Sequence, residues 1–150
     1  MVIAFEKRGF AQPLNRRRVV IRRTNETDYG HLGEIKHQVN SEPFANHMGI
    51  SLRDIAPGYA LVEAMFSEKM NNFHGLIHGG AIFSLIDEAF GVASNSHGTV
   101  ALALNMNLTY ISPPKANSLL IAEAKEESRT RRTAAYRIEV RQGERKARKK

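Results

Sequence analysis

Residues 72–95 read NFHGLIHGGAIFSLIDEAFGVASN, a glycine-rich loop that leads into one long apolar helix. Glycines at 75, 79 and 80 interrupt regular structure and mark the loop and the start of the helix. From residue 81 to residue 93 the chain is almost wholly apolar, and its large side chains gather on one broad helical face. A helix this apolar is predicted to be buried. The apolar face consists of Ile82, Leu85, Ile86, Ala89, Phe90 and Ala93.

Strands are predicted on both sides of this helix. Before the loop, residues 32–48 predict a short helix interrupted near Pro43. Residues 50–55 and 59–66 then predict two strands, with a Pro-Gly turn between them.

After the helix, the sequence predicts three more strands. Residues 100–111 alternate between large apolar residues and small or polar ones, which predicts one long strand with a packed face. Residues 119–125 and 133–141 predict the other two. Strands around one central helix indicate an α+β fold, an antiparallel sheet wrapped over a hydrophobic helix. A single sheet over one helix leaves its other face open, which favours a dimer or a higher assembly.

The composition is that of an ordinary soluble domain. The chain has 150 residues, 42% of them hydrophobic and 25% charged, which fits one domain. It has no cysteine, which excludes a disulfide framework, a zinc–thiolate site and a cysteine nucleophile. No apolar run reaches the roughly 18 residues of a membrane-spanning helix, and no apolar core typical of a secretory signal follows Met1. We therefore expect a cytoplasmic protein without a membrane partner.

The formal net charge of +7 is unevenly distributed. Residues 1–23 hold seven basic residues and one acidic residue, and residues 129–150 hold ten and two, whereas residues 24–128 hold five and twelve. We expect residues 1–30 to form a basic, loosely ordered N-terminal extension, and residues 31–150 to form the folded domain with a basic C-terminal tail. Basic ends can bind a polyanion. They carry few interleaved aromatic residues, so nucleic acid is not the expected partner.

The helix start and one carboxylate form the candidate chemical site. Gly79 and Gly80 offer free backbone N–H groups at the helix N-terminus, where negative charge on a substrate oxygen is stabilised. Asp87 places a carboxylate on an otherwise apolar helix, which is unfavourable unless the group is paired or used. Gly79 and Asp87 are eight residues apart, about 12 Å along a helix. Both reach one reacting carbonyl only if antiparallel copies of the helix meet across a two-fold axis, with two sites per dimer.

The sequence around this site resembles a known family. Residues 72–98 follow the pattern N-x-x-x-x-x-H-G-G-A-x-F-S-L-x-D-x-A-F-x-x-A-x-N-S-x-G. This pattern is similar to that of the hotdog-fold acyl-CoA thioesterases, in the PaaI-like subgroup named after a thioesterase of phenylacetate degradation. NMNLTYISP at 105–113 and RRTAAY at 131–136 support the resemblance, which covers roughly residues 40–143. It implies a hotdog fold, homodimers that often pair into tetramers, and hydrolysis of acyl-CoA thioesters without a metal.

The resemblance also implies roles for individual residues. Asp87 would be the catalytic carboxylate, as general base on water or as nucleophile, and the Gly79 N–H would polarise the thioester carbonyl. Asn72 would orient the carbonyl or the water. His78 would shape the loop and be placed to contact the thioester. Some relatives carry a water-positioning serine where this chain has Ala103, so the resemblance leaves that role open.

The expected substrate-binding residues are Gly80, Asn105, Tyr110, Arg129, Arg131 and Arg132. The asparagine and the tyrosine match positions that line the CoA groove in relatives. The three arginines lie in a segment that also matches this groove, and guanidinium groups pair well with the phosphates of CoA.

Neither a metal nor a cofactor is expected, because CoA enters only as part of the substrate. His37, His74 and His97 lack the spacing of metal ligands. Two other functions stay open at this stage: a non-catalytic module that binds acyl-CoA, and a nucleic-acid-associated protein that uses its basic ends. The acyl group is not readable from one chain, because the predicted pocket lies between two subunits.

Overall fold

An antiparallel sheet wraps over one long helix. The computed structural model describes residues 2–4 and 30–143. Its strands are β1 (Val2–Ala4), β2 (Ile50–Ala56), β3 (Tyr59–Phe66), β4 (Leu102–Asn105), β5 (Ser118–Arg129) and β6 (Thr133–Gln142), and its helices are α1 (Gly30–Ser41), α2 (Pro43–Met48) and α3 (Gly79–Asn95). The described strands form one sheet in the order β2-β3-β5-β6-β1-β4, with every pair antiparallel. The predicted α+β architecture is confirmed.

Helix α3 is buried because its apolar face meets small side chains of the sheet. Leu85, Ala89 and Ala93 are fully buried, as the periodicity of the sequence predicts. The buried sheet residues in the same core are Ile50, Ile55, Ala60, Val62, Ala64, Phe66, Leu120, Ala122, Ala124, Ala134 and Tyr136. Five of these eleven are alanines, and their short side chains let the helix approach the sheet closely.

The predicted turn between β2 and β3 ties this hairpin to the end of α3. Gly58 has a φ of 71°, in the left-handed region that favours glycine. A Cβ at this position would lie 2.9 Å from the Cβ of Glu126. The Gly58 N–H donates a hydrogen bond of 2.7 Å to the hydroxyl of Ser96, which is the C-cap residue of α3.

The long strand predicted over residues 100–111 is wrong. Only Leu102–Asn105 forms a strand, and all four of its residues are exposed. Two of the apolar side chains expected to pack are open to solvent, Val100 with 72% and Leu104 with 61% of its surface. The alternation predicted a covered face, but no described element of this chain covers it. The described ladder partner of β4 is β1, which has only three residues.

The helices that precede β2 agree with the prediction from the sequence. Helices α1 and α2 meet at Glu42, so the predicted interruption at Pro43 is confirmed. Strand β1 lies between β6 and β4, so three residues of the predicted N-terminal extension belong to the sheet. Residues 5–29 and 144–150 lie outside the described residues, and the division into extension, domain and tail stays a prediction.

Candidate active site

The N-terminus of α3 is capped by the side chain of His78. The backbone of this residue is extended (φ −64°, ψ 133°), and its Nδ1 accepts a hydrogen bond of 2.8 Å from the Gly80 N–H. An acceptor at Nδ1 requires the neutral imidazole with its proton on Nε2. The sequence predicted a free N–H at Gly80, and this is wrong. An acceptor at the cap position captures one of the N–H groups that a helix N-terminus leaves unpaired.

The backbone N–H of Gly79 is unpaired among the described residues, as the sequence predicted. The carbonyl oxygen of the same residue accepts a hydrogen bond of 2.9 Å from the Tyr110 hydroxyl. A Cβ on Gly79 would lie 3.0 Å from the same hydroxyl, so the tyrosine lies directly against the glycine. Among the described residues, none accepts the Gly79 N–H. Within the described residues this N–H is therefore unpaired, at the positive end of the helix dipole.

Asn72 holds the loop that leads into α3. Its side-chain oxygen accepts hydrogen bonds from the N–H groups of His74, at 2.9 Å, and Leu76, at 3.2 Å. Its own N–H donates to the carbonyl of Leu76 at 2.7 Å. The loop ends with the His78 N–H bonded to the Met70 carbonyl at 2.8 Å. Asn72 thus acts as a loop organiser through its oxygen, in the manner typical of asparagine in turns.

Asp87 lies two turns further along α3, on the exposed side of the helix. No hydrogen bond or ion pair joins its carboxylate to any other described residue. Partial burial against the apolar helix surface raises the pKa of this carboxyl above its ordinary value. A carboxylate with a raised pKa is a stronger base than an ordinary one. Nearby Ser84 is not poised as a nucleophile, since its hydroxyl donates to the Gly80 carbonyl at 2.9 Å.

A shallow cavity of about 270 Å³ opens against Phe83 and Ile86 of α3. Phe83 contributes to its wall and lies four residues before Asp87, on the same face of the helix. The full lining is Phe83, Ile86, Met106, Asn107, Leu108, Glu127, Tyr136, Arg137 and Ile138. Five of these side chains are apolar, and the polar part of the wall includes the Arg137–Glu127 ion pair of 2.6 Å.

Glu88 is a residue that the sequence analysis missed. It does not belong to the predicted apolar face of the helix, yet only 9% of its surface is exposed. Burial, and to a smaller extent the charges of Glu42 and Asp87, raises its pKa to about 7. The position of Glu88 in the sequence indicates that it is buried, because it lies three residues after Leu85 and four before Val92, and both of these are buried.

The three predicted CoA-binding arginines surround one hairpin turn. Arg129 ends β5, and Arg131 and Arg132 lie in the turn before β6, all exposed. Thr130 shapes the turn, because its hydroxyl oxygen accepts the Arg132 N–H at 3.2 Å and the Thr133 N–H at 3.0 Å.

In residues 2–4 and 30–143, no group of three or more His, Asp or Glu side chains is arranged to hold a metal ion. None of the helices described in the structure is long and apolar enough to span a membrane.

Comparison with known proteins relates this site to a family. The family model described as "Thioesterase superfamily" matches residues 74–148, half of the chain and all of α3. The chain belongs to this superfamily. Membership confirms the class of enzyme that the sequence around His78 and Asp87 predicted, a thioesterase.

Individual relatives refine the position of this thioesterase. A putative esterase of Archaeoglobus fulgidus is 44% identical over 87 residues, 58% of this chain and 56% of the relative. The acyl-coenzyme A thioesterase PaaI of Escherichia coli is 34% identical over 96 residues, 64% of this chain and 69% of the relative. The match thus spans little more than half the length of the archaeal relative.

A solved structure confirms the fold of the thioesterase. The structure of the Escherichia coli PaaI protein from the phenylacetic acid degradation operon superposes with a TM-score of 0.70 at 30% identity, covering 75% of this chain and 83% of that one. The chain therefore has the hotdog fold and belongs to the PaaI-like group.

The fold brings some of the predicted site residues of this thioesterase together and separates others. His78, Gly79, Gly80 and Tyr110 meet at the start of α3 through the hydrogen bonds described above, and Asn72 lies in the loop before it. Asp87 is on the same helix but two turns away. Asn105 ends β4, and the arginine hairpin joins β5 to β6.

Proposed function

We propose that this thioesterase hydrolyses acyl-CoA thioesters to a free acid and CoA. The observation that carries the proposal is the Gly79 N–H, which has no described acceptor at the capped N-terminus of α3. The same helix bears the carboxylate of Asp87, which is unpaired among the described residues. The name of the Escherichia coli relative, an acyl-coenzyme A thioesterase, supports the substrate class.

The reaction uses the helix start as an oxyanion site. The Gly79 N–H donates to the thioester oxygen, and this bond strengthens as negative charge develops there. In one route Asp87 takes a proton from water, the water oxygen attacks the carbonyl carbon, and the C–S bond breaks. The leaving CoA thiolate then takes up the proton. In the other route the Asp87 carboxylate attacks the carbonyl carbon, the C–S bond breaks and CoA leaves as a thiolate. Water then hydrolyses the resulting anhydride, and the thiolate takes up one of the protons released. In a single turnover in ¹⁸O-water, ¹⁸O in the Asp87 carboxylate identifies the second route with water attack on the aspartyl carbon. ¹⁸O confined to the free acid means that water attacked the acyl carbon.

The site is completed by a second copy of the chain, in a homodimer or a dimer of dimers. Gly79 and Asp87 are about 12 Å apart along α3, too far to act on one carbonyl within one chain. Exposed apolar side chains follow the helix and favour association. They are Val100, Leu102, Leu104, Leu108, Tyr110 and Ile111. An antiparallel pair of α3 helices would give each dimer two sites, each with Gly79 from one subunit and Asp87 from the other.

Asn105 and the arginine hairpin bind the CoA part of the substrate in this proposal. Arg129, Arg131 and Arg132 present exposed guanidinium groups around one turn, and phosphates are recognised by such groups. Replacing Arg131 and Arg132 by alanine should raise KM for acyl-CoA. It should not change kcat/KM for an acyl-N-acetylcysteamine thioester, which lacks the phosphates. Lys115→Ala, another exposed cation, serves as the matched control.

The cavity lined by Phe83 and Ile86 takes the acyl group in this proposal. Five of its nine lining side chains are apolar, so we expect an acyl chain or ring without charge to lie against them. Thiol release from short, medium, long and aryl acyl-CoAs tests both the activity and this preference. Binding of every acyl-CoA without thiol release would contradict hydrolysis and leave a non-catalytic binding module.

A further inference from the structure

One peptide unit at the start of α3 is held at both of its ends. The unit that joins Gly79 to Gly80 has its carbonyl on Gly79 and its N–H on Gly80. The carbonyl accepts from the Tyr110 hydroxyl at 2.9 Å, and the N–H donates to the His78 Nδ1 at 2.8 Å. The side chains of His78 and Tyr110 are thus hydrogen-bonded to opposite sides of the same peptide plane.

The preceding peptide unit, which carries the Gly79 N–H, is held as well. Its carbonyl, on His78, accepts from the N–H groups of Ala81 at 3.0 Å and Ile82 at 3.3 Å. Only the φ and ψ rotations of Gly79 connect the two planes, and glycine by itself restrains these rotations little. With both planes held, the direction of the Gly79 N–H is set by its surroundings.

Tyr110 is placed for this contact and gains little from burial within its own chain. In a single chain its side chain is 56% exposed, so packing inside the subunit accounts for little of its position. Its hydroxyl would be 3.0 Å from a Cβ on Gly79, which means that the absence of a side chain there permits the approach. The segment that carries Tyr110 follows β4 without being a strand, so no sheet ladder fixes it.

We propose that Tyr110 is a positioning residue: with the His78 imidazole it clamps the Gly79–Gly80 peptide and thereby aims the Gly79 N–H at the substrate oxygen. This inference rests on the proposed function for its effect on catalysis. It assigns to Tyr110 a role different from that of lining the CoA groove.

The test is Tyr110→Phe, which removes the hydroxyl and keeps the ring. Loss of a direct oxyanion donor lowers kcat by about 10²–10³, so loss of a group that only orients this donor should lower kcat by about tenfold. KM should change by less than about twofold, and the inhibition constant of free CoA should not change. Tyr59→Phe is the matched control, because its hydroxyl bonds Glu123 at 3.1 Å, between β3 and β5, away from the site. This control should keep the wild-type kcat.

A second measurement is independent of activity. The backbone N–H of Gly80 belongs to the clamped peptide, so its hydrogen exchange, followed by NMR, should become faster in Tyr110→Phe and stay unchanged in Tyr59→Phe. Wild-type kcat and wild-type exchange in Tyr110→Phe would overturn the clamp while the thioesterase function stands. An unchanged kcat with raised KM and weaker inhibition by CoA would overturn it in favour of a CoA contact. Faster exchange in a chain that hydrolyses no acyl-CoA would retain the clamp and reject the proposed function.

Discussion

Gly79 and Asp87 lie on the same helix, one at its first residue and the other two turns later. In our proposal the Gly79 N–H binds the thioester oxygen and the Asp87 carboxylate acts on the carbonyl carbon, and within one chain these two groups are about 12 Å apart. The loop around Asn72 and the cap at His78 prepare the first group, and the exposed face of α3 presents the second. In our account each active site therefore needs two chains, and the predictions below test its parts separately.

Removing the charge of Asp87 should stop the chemistry and spare the fold. Asp87→Asn keeps the size of an exposed side chain that makes no hydrogen bond within the described structure. We expect kcat to fall by about 10²–10⁴, the contribution of a general base, and the melting temperature to stay near that of the wild type. Thiol release and thermal unfolding measure the two effects. Asp54→Asn, at an exposed position of β2, is the control and should retain full activity; equal losses in both variants would contradict the role of Asp87.

The N–H of Gly79 can be removed without breaking the helix. Gly79 is the first residue of α3, where proline is well tolerated, and the ψ of 133° at His78 suits a residue before proline. Gly79→Pro and Gly79→Ala both add a Cβ against Tyr110, but only the proline lacks the N–H. We expect kcat of the proline variant to be about 10²–10³ lower than that of the alanine variant. Equal kcat values in the two variants would show that the N–H has no part in the reaction.

Glu88 should make the protein less stable as the pH rises. Burial raises its pKa in the folded state to about 7 from an ordinary value of 4.5, so the folded state holds this proton more tightly than the unfolded state. The stabilisation is complete below about pH 4.5 and is lost as the pH rises through 7. Glu88→Gln should therefore raise the free energy of unfolding at pH 8 by roughly 1–3 kcal/mol. Urea unfolding at pH 5 and pH 8 measures this, with the exposed Glu34→Gln as control. A destabilised Glu88→Gln at pH 8 would refute the assignment.

Gly58 should be required for the hairpin between β2 and β3. Alanine there would combine a φ of 71° with a Cβ 2.9 Å from the Cβ of Glu126. We expect Gly58→Ala to lower the free energy of unfolding by about 1–3 kcal/mol. Gly33→Ala, on α1 with open space around it, should instead stabilise by about 0.5–1 kcal/mol. Urea unfolding of both variants measures these effects. An unchanged free energy of unfolding in Gly58→Ala would contradict the described turn.

The sequence predicts the helix and the neighbouring strands well, because their patterns depend on one chain alone. The apolar face of residues 81–93 packs against the buried side chains of β3 and β6. The burial that produces both patterns therefore occurs within one chain. Residues 100–111 differ: alternation shows that one face is apolar but not which molecule covers it. The packed strand was therefore predicted within the chain, where the described residues leave that face exposed.

At the site, residue types were predictable and their hydrogen bonds were not. The pattern around Gly79 and Asp87 identified the helix start and the carboxylate. The capping of Gly80 depends on the rotamer of His78, and the contact of Tyr110 with Gly79 joins residues 31 positions apart in sequence. Neither relationship leaves a periodic signal in the sequence.

The most direct test of the account is complementation between inactive subunits. Gly79→Pro and Asp87→Asn chains, given different affinity tags and co-expressed, are purified as heterodimers. If each site joins Gly79 of one subunit to Asp87 of the other, this heterodimer has one intact site and about half of the wild-type activity. A heterodimer of wild type with the double variant then has none. An inactive heterodimer of the single variants, together with about half activity in the pair of wild type and double variant, would place both groups of a site in one chain and contradict the account.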